Sequence, residues 1–256
     1  HSFSTRRSSD FSLFLYPALL PGTVSNGLLN NLIAYWALDE ASGANNALDK
    51  HSNGLTLTQA NSPGSATGKV YSGARTLNGS NQSFSRTSET LLQTGDVDVT
   101  FAAWVYLSSV SINHAIINKY VPYVNEEFVL YYNYNDWYPA PYFTWIFGSG
   151  VVRATDFGAA SANTWYLVIC WHDAANNQLG ISVNGTETTT SYSSGVTATS
   201  AAFQLGLENT VYPLSGRIGP VAMWKSTAGG GGVLTSTKRT ALYNAGAGLA
   251  YANFTA

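Results

Sequence analysis

The stretch Thr164–Asp173 constrains the fold more than any other. Trp165, Leu167, Ile169 and Trp171 alternate with Tyr166, Val168, Cys170 and His172, the period of an extended chain whose successive side chains point to opposite faces. Both faces are largely apolar, so the segment reads as a central strand covered on both sides. Val97 to Leu107 shows the same period, with Val97, Val99, Phe101, Ala103, Val105 and Leu107 on one face and Thr100, Ala102, Trp104 and Tyr106 on the other. From Leu32 onward short apolar runs recur between Gly, Asn, Ser and Pro, which predicts an all-β sandwich or jelly roll. Further strands are expected over 33–38, 115–119, 128–132, 142–147, 203–207 and 217–225. Leu179, Ile181 and Val183 run into Asn184-Gly185 and then Thr186–Thr190; Asn-Gly tolerates the positive φ that a tight hairpin needs at both turn positions. Thr235 or Ser236 is placed to cap one short helix through Leu242, with Gly246 as its stop.

Composition narrows the function classes. Charged residues make up 10% of the chain, against ~25% in an ordinary soluble domain. Twelve basic and fourteen acidic side chains give a net charge of −2, a balance that argues against tracking a phosphate backbone, so no nucleic-acid partner is expected. The 13% aromatic content argues against disorder, because the chain has ample apolar surface to bury. Cys170 is the single cysteine, which excludes an intrachain disulfide and a cysteine-based zinc cluster. Its place inside an apolar strand reads as a small buried hydrophobe.

Residues 1–31 stand apart from the β domain, which is expected over 32–256. The apolar stretch around Phe11, Leu13, Phe14, Leu15, Tyr16, Leu19 and Leu20 is interrupted by Pro17 and is about half the ~20 residues that a membrane-spanning helix needs. Arg6 and Arg7 lend it the look of a signal peptide, while His1 in place of Met reads as the start of a processed or partial product. An apolar arm without periodicity has to lie against its own domain or a neighbour. The expectation is an assembly tether that contacts other protein subunits, most simply by pairing with an exposed strand edge.

Several segments, taken in order, carry a family resemblance. Leu32-Ile33-Ala34-Tyr35-Trp36-Ala37-Leu38-Asp39-Glu40, followed by Asp49 and Gly54, resembles the opening of a laminin-G-like, concanavalin-A-like jelly-roll domain. Gly68-Lys69-Val70 with Leu77-Asn78-Gly79, Phe101-Ala102-Ala103-Trp104-Val105, Ile116-Ile117-Asn118-Lys119 and Asn163-Thr164-Trp165-Tyr166-Leu167-Val168 are similar to its successive motifs. Val183-Asn184-Gly185, Leu214 to Trp224 and Arg239 to Asn244 complete the series. The resemblance implies a concanavalin-A-like jelly-roll sandwich, here with an extended N-terminal arm and one short C-terminal helix. It also implies a calcium site on the loop Asp49-Lys50-His51-Ser52-Asn53-Gly54. Many relatives, however, close with Ile-Asp-Glu where this chain has Ile218-Gly219-Pro220, which removes two carboxylates. No cofactor is therefore expected, with calcium as the alternative and its ligands unassigned.

The family includes binding modules, adhesins, virion proteins and glycan-cleaving relatives, so function must be read from a site. Glycoside hydrolysis usually uses two carboxylates flanking the bond, and the related glucanases carry Glu-x-Asp-x-x-Glu along one strand; no such run occurs here. Adjacent Asp39-Glu40 and Glu126-Glu127 would point to opposite faces of a strand, and Asp96-x-Asp98 reads as a solvated strand start. His172-Asp173 lacks a nucleophile elbow such as Gly-x-Ser-x-Gly. No catalytic residues are assigned. The densest aromatic and amide cluster is Tyr134, Asn135, Asp136, Trp137, Tyr138 and Tyr142, whose rings can stack on sugars while the amides and the acid bond hydroxyls. The expectation is a non-catalytic binding and adhesion module on the exterior of a virion or other large surface assembly, with surface glycans as ligands. A free-standing carbohydrate-binding module is the alternative, and a glycan-degrading enzyme the third reading. The expected location is extracellular or on a virion surface.

Overall fold

The computed structural model describes residues 25–43, 45–87, 89–134 and 141–256. The apolar arm residues Phe11, Leu13, Phe14, Leu15, Tyr16, Leu19 and Leu20 lie outside the described residues. In chain order the strands are β1 (Leu32–Trp36), β2 (Thr58–Ala60), β3 (Gly64–Thr67), β4 (Gly73–Asn78), β5 (Ser83–Arg86), β6 (Asp98–Leu107), β7 (His114–Val121) and β8 (Asn125–Tyr132). They continue with β9 (Phe143–Phe147), β10 (Gly150–Arg153), β11 (Thr164–Asp173), β12 (Gln178–Val183), β13 (Thr186–Ser191), β14 (Phe203–Leu205) and β15 (Ser215–Ser226), and one α-helix follows, α1 (Ser236–Tyr243). Among the described residues no helix is long and apolar enough to cross a membrane.

Two antiparallel sheets form. One runs β13-β12-β11-β6-β15-β4-β3, with β1 also paired to β15, and the other runs β10-β9-β8-β7-β14-β5-β2. Beside β6, the register of β15 slips between Ile218 and Val221, so Gly219 and Pro220 form a bulge. Proline has no N–H to give a ladder, which is why a bulge accommodates it. The bulge divides the other edge of β15: Ser215–Ile218 pairs with β4 and Val221–Trp224 with β1.

The period read from the sequence sorts the core. Val99, Phe101, Ala103, Val105 and Leu107 of β6, with Tyr166, Val168 and Cys170 of β11, face the second sheet in the main core. There Phe101 lies 4.6 Å from Phe128, and Trp36 stacks on Phe203 at 5.2 Å. The opposite faces of the same strands, carrying Ala102, Trp104, Leu167, Ile169 and Trp171, are covered by Leu242 of α1 and by Phe254. The central strand is thus buried on both sides, as its composition predicts. Cys170 is a buried free thiol, and burial pushes its pKa up. The hairpin holds as well: Asn184 and Gly185 take φ of 51° and 91° between β12 and β13.

The helix begins as read, since the Thr235 side chain accepts from the Lys238 N–H. Its end differs from the expected Gly246 stop: Asn244 adopts the left-handed cap at φ 48°, a conformation asparagine tolerates. Residues 25–31, read as part of the arm, pack on the chain's last residues. Leu29 N donates to Thr255 O at 2.9 Å, and Trp224 Nε1 donates to the Leu28 carbonyl at 2.8 Å.

One buried cation organises the edge near β3 and β4. Arg75 is fully buried, and its guanidinium donates to the carbonyls of Gly64 (3.1 Å), Asn45 (3.0 Å), Gly43 (3.0 Å) and Pro63 (2.7 Å). A planar fork of five donors suits carbonyls that converge from two loops.

Candidate functional site

The second sheet turns a partly apolar face away from the main core. Ala115, Val129, Tyr131 and Ile146 are buried on it, with Tyr120, Tyr134, Val151 and Tyr212 packed around them. The β7–β8 hairpin shapes one end. Lys119 pairs with Phe128 but Tyr120 pairs with Glu126, which leaves Glu127 as the extra residue of a bulge. The two adjacent carboxylates consequently part company. Glu127 is buried, 2.7 Å from the equally buried Lys119 ammonium. It also accepts from the Thr94 amide (2.9 Å) and from the hydroxyls of Thr94 and Thr199 (both 3.0 Å). Glu126 stays exposed, and its Oε1 accepts from Tyr120 Oη at 3.0 Å and from the Tyr123 N–H at 2.7 Å.

The other end is built by the turn after β14. Glu208 and Val211 bond each other's backbone, with Val211 N donating to Glu208 O at 2.7 Å. This turn carries the Glu208 side chain beneath the tyrosines. Tyr131 Oη donates to Glu208 Oε2. Tyr134 stacks flat on Tyr131, with centroids 4.2 Å apart and planes at 6°, and Tyr212 meets both rings edge-on at 5.8 and 5.5 Å. Such offset and edge-to-face geometries hold aromatic clusters in fixed orientation.

Between these two ends lies a hollow of about 440 Å³. Tyr120, Tyr123, Tyr134 and Tyr212 supply ring surface, Ile146, Val151 and Val211 supply apolar surface, and Glu126 and Glu208 supply acceptors. Tyr123 is 86% exposed at the rim. Glu208 is 1% exposed, and its carboxyl is pushed up to about 7, chiefly by burial and further by the charge of Glu126, against the opposing effect of the Tyr131 hydrogen bond. A carboxyl whose pKa is higher folded than unfolded binds its proton more tightly in the native state. Its stabilising contribution is therefore present at low pH and is lost as pH rises from about 4.5 through about 7. Glu208→Gln keeps an acceptor for Tyr131 but removes the titration. The variant is expected to exceed the parent in stability at alkaline pH by roughly 2–3 kcal/mol and to lose that advantage in acid, as read by urea unfolding across pH. A difference independent of pH would contradict this assignment.

Of the residues that the sequence offered for ligand binding, Tyr134 lines this hollow. Tyr142 does not; it sits at the base of the β8–β9 hairpin, where its carbonyl accepts from Asn133 N at 3.1 Å. Asn135, Asp136, Trp137 and Tyr138 lie outside the described residues. Glu208, Tyr212 and Tyr120 gave no contiguous sequence signal, and Glu126 stood out only as half of an acidic pair.

Several other acids and histidines among the described residues serve the fold. Asp49 accepts from Tyr35 N (3.0 Å) and His51 N (2.9 Å) on one oxygen and from Leu55 N (2.9 Å) on the other. Three N–H groups aimed at that carboxylate suit an anion rather than a shared cation, so the loop does not fit calcium. Among the described residues no group of three or more His, Cys, Asp or Glu is placed to hold a metal. His172 stacks on Phe147 at 4.4 Å with Nδ1 2.9 Å from Val97 O, and burial lowers its pKa. Asp173 accepts from Asn176 N and Asp98 from Ala174 N. A second hollow, of about 400 Å³, lies beside Trp171, Glu187 and Arg239. There the guanidinium covers the indole at 4.2 Å and is bound to both Glu187 oxygens.

Comparison with solved structures shows the same fold at low identity. Domain 4 of AbnA, a GH43 extracellular arabinanase from Geobacillus stearothermophilus solved in complex with arabinotriose, has 16% identity and a TM-score of 0.56, covering 79% of this chain and 96% of that one. The binding domain of Paraclostridial Mosquitocidal Protein 1 has 12% identity and a TM-score of 0.61 over 85% of this chain. Trypanosoma rangeli sialidase in complex with sialic acid has 14% identity and a TM-score of 0.58 over 86% of this chain. The matched region spans 52% of the mosquitocidal domain and 34% of the sialidase. A search of curated protein sequences finds no match. Residues 78–229 match the family described as the Concanavalin A-like lectin/glucanases superfamily, and with the two-sheet sandwich around them they establish that the chain belongs to that superfamily.

Proposed function

We propose that the chain is a non-catalytic carbohydrate-binding module whose ligand seats in the tyrosine-lined hollow of the second sheet. The observation that carries this reading is the hollow itself: four tyrosine rings and two carboxyls around about 440 Å³, a volume within the ~300–1,000 Å³ of small-ligand sites. Ring faces match the C–H faces of sugars, and the carboxyl oxygens accept from hydroxyls. Two of the structural neighbours, the arabinanase domain with arabinotriose and the sialidase with sialic acid, are named for saccharide complexes. Each of the two acids has one oxygen engaged, Glu126 by Tyr120 and Tyr123 and Glu208 by Tyr131, an arrangement suited to holding a ligand.

A glycan array tests this. The parent is expected to retain a saccharide that Tyr134→Ala binds more weakly by roughly 1–3 kcal/mol, the size of one aromatic stacking contact. Release of reducing ends from a polysaccharide panel, abolished by Glu208→Gln, would overturn the non-catalytic part.

We further propose that the module works outside the cell as an attachment or decoration domain on a virion or another large surface assembly, tethered by its apolar arm. Low charge and the run of apolar residues from Phe11 to Leu20 support this. Because residues 25–31 pack on the C-terminal segment, the informative truncation removes residues 1–24. The product is expected to stay folded but to leave its assembly, as judged by co-sedimentation; normal assembly would refute the tether.

A further inference from the structure

Among the described residues the charge on the walls of the hollow has one sign. Glu126 and Glu208 both line it, and among the described residues no lysine or arginine does. Lys119, next to Tyr120 on β7, is spent on Glu127 and Thr199. Arg153, on the last strand of this sheet, does not line the hollow. The influences on Glu208 are burial, the Tyr131 hydroxyl and the like charge of Glu126, with no cation among them. Glu208 is 1% exposed, accepts from Tyr131 on Oε2 and lines the hollow. Two carboxyls, one of them buried, therefore share a hollow that no lysine or arginine lines among the described residues.

Tyrosine faces complete the picture. The electron-rich face of an aromatic ring attracts a cation, and hydrogen bonds from a charged donor to a carboxylate are roughly twice as strong as neutral ones. An anionic sugar would meet repulsion from both acids. A neutral sugar would donate hydrogen bonds to the carboxyls but leave their charge unmatched. An ammonium group would satisfy both.

Resting on the reading of the hollow as a saccharide site, we propose that it selects a cationic amino sugar, with the ammonium between Glu126 and Glu208 and the ring against Tyr134 and Tyr212. Calorimetric titration of the full chain at neutral pH tests this with three short oligosaccharides of equal length: β-1,4-glucosamine, its N-acetylated form and the all-hydroxyl glucose analogue. The glucosamine oligomer is expected to bind about tenfold or more tighter than either. Glu208→Gln should abolish that preference while the variant, the more stable of the two at alkaline pH, remains folded. Glu126→Gln should reduce the preference in part. Equal affinities for all three, or a preference that survives Glu208→Gln, would overturn the amino-sugar assignment and leave the hollow a neutral-sugar site. No binding of any saccharide on the array or in these titrations would instead remove the underlying reading.

Discussion

Replacing Arg75 by leucine is expected to destabilise the protein by about 4 kcal/mol or more, measured as a fall in the urea midpoint at constant slope. The guanidinium is fully buried and holds the carbonyls of Gly43, Asn45, Pro63 and Gly64. Without it these acceptors lose their shared donor, although Pro63 O keeps the Gly43 N–H at 3.1 Å, and each buried carbonyl left unpaired costs ~1–3 kcal/mol. Water entering along the two loops offsets some of that, which sets the expectation near the lower end of the sum. The guanidinium also lies over the Phe84 ring at 5.1 Å, a contact that leucine is too short to replace and that adds to the loss. Lysine is expected to recover little, because an ammonium cannot reproduce a planar fork aimed at several carbonyls. A loss below about 1 kcal/mol would mean that the carbonyls are satisfied without Arg75.

The second large effect is expected at the bulge. Lys119→Met should cost about 3–5 kcal/mol, because it leaves the Glu127 carboxylate buried without its counter-ion. The pair is 2.7 Å apart, with side chains 1% and 0% exposed. Removing both charges in Lys119→Met/Glu127→Leu is expected to recover part of the loss, since a buried pair replaced by apolar groups is often close to neutral. Recovery stops short of completion, because the Thr94 amide and the Thr199 hydroxyl also rely on Glu127. Hydrogen exchange supplies the local readout: faster exchange at Thr94 and Thr199 in the single variant. Additive losses in the double variant would show that the two charges do not act as a pair.

The sequence made some elements readable because their signals are local. The alternation in β6 and β11 and the Asn184-Gly185 turn each occupy one segment, and the structure places all three as read. Strands β3 and β5 escaped notice for a physical reason. Gly64–Thr67 and Ser83–Arg86 are four residues each and largely polar, so their extended form comes from pairing with β4 and β14 rather than from their own pattern. The bulge at Glu127 depends on the register of β7 against β8, and register is a property of two strands. The site follows the same rule. Tyr134 stood out within an aromatic cluster, whereas Glu208 and Tyr212 lie more than seventy residues further along and join it only because β14 pairs with β7.

The central claim is that the tyrosine hollow is where saccharide binds, and amide chemical-shift mapping tests it most directly. The saccharide best retained on the array is titrated into isotope-labelled protein. The shifts are expected to cluster at Tyr120, Glu126, Tyr134, Glu208 and Tyr212, around the hollow, and to need a higher saccharide concentration in Tyr134→Ala. Shifts centred instead on Trp171, Glu187 and Arg239, at the second hollow, would contradict it.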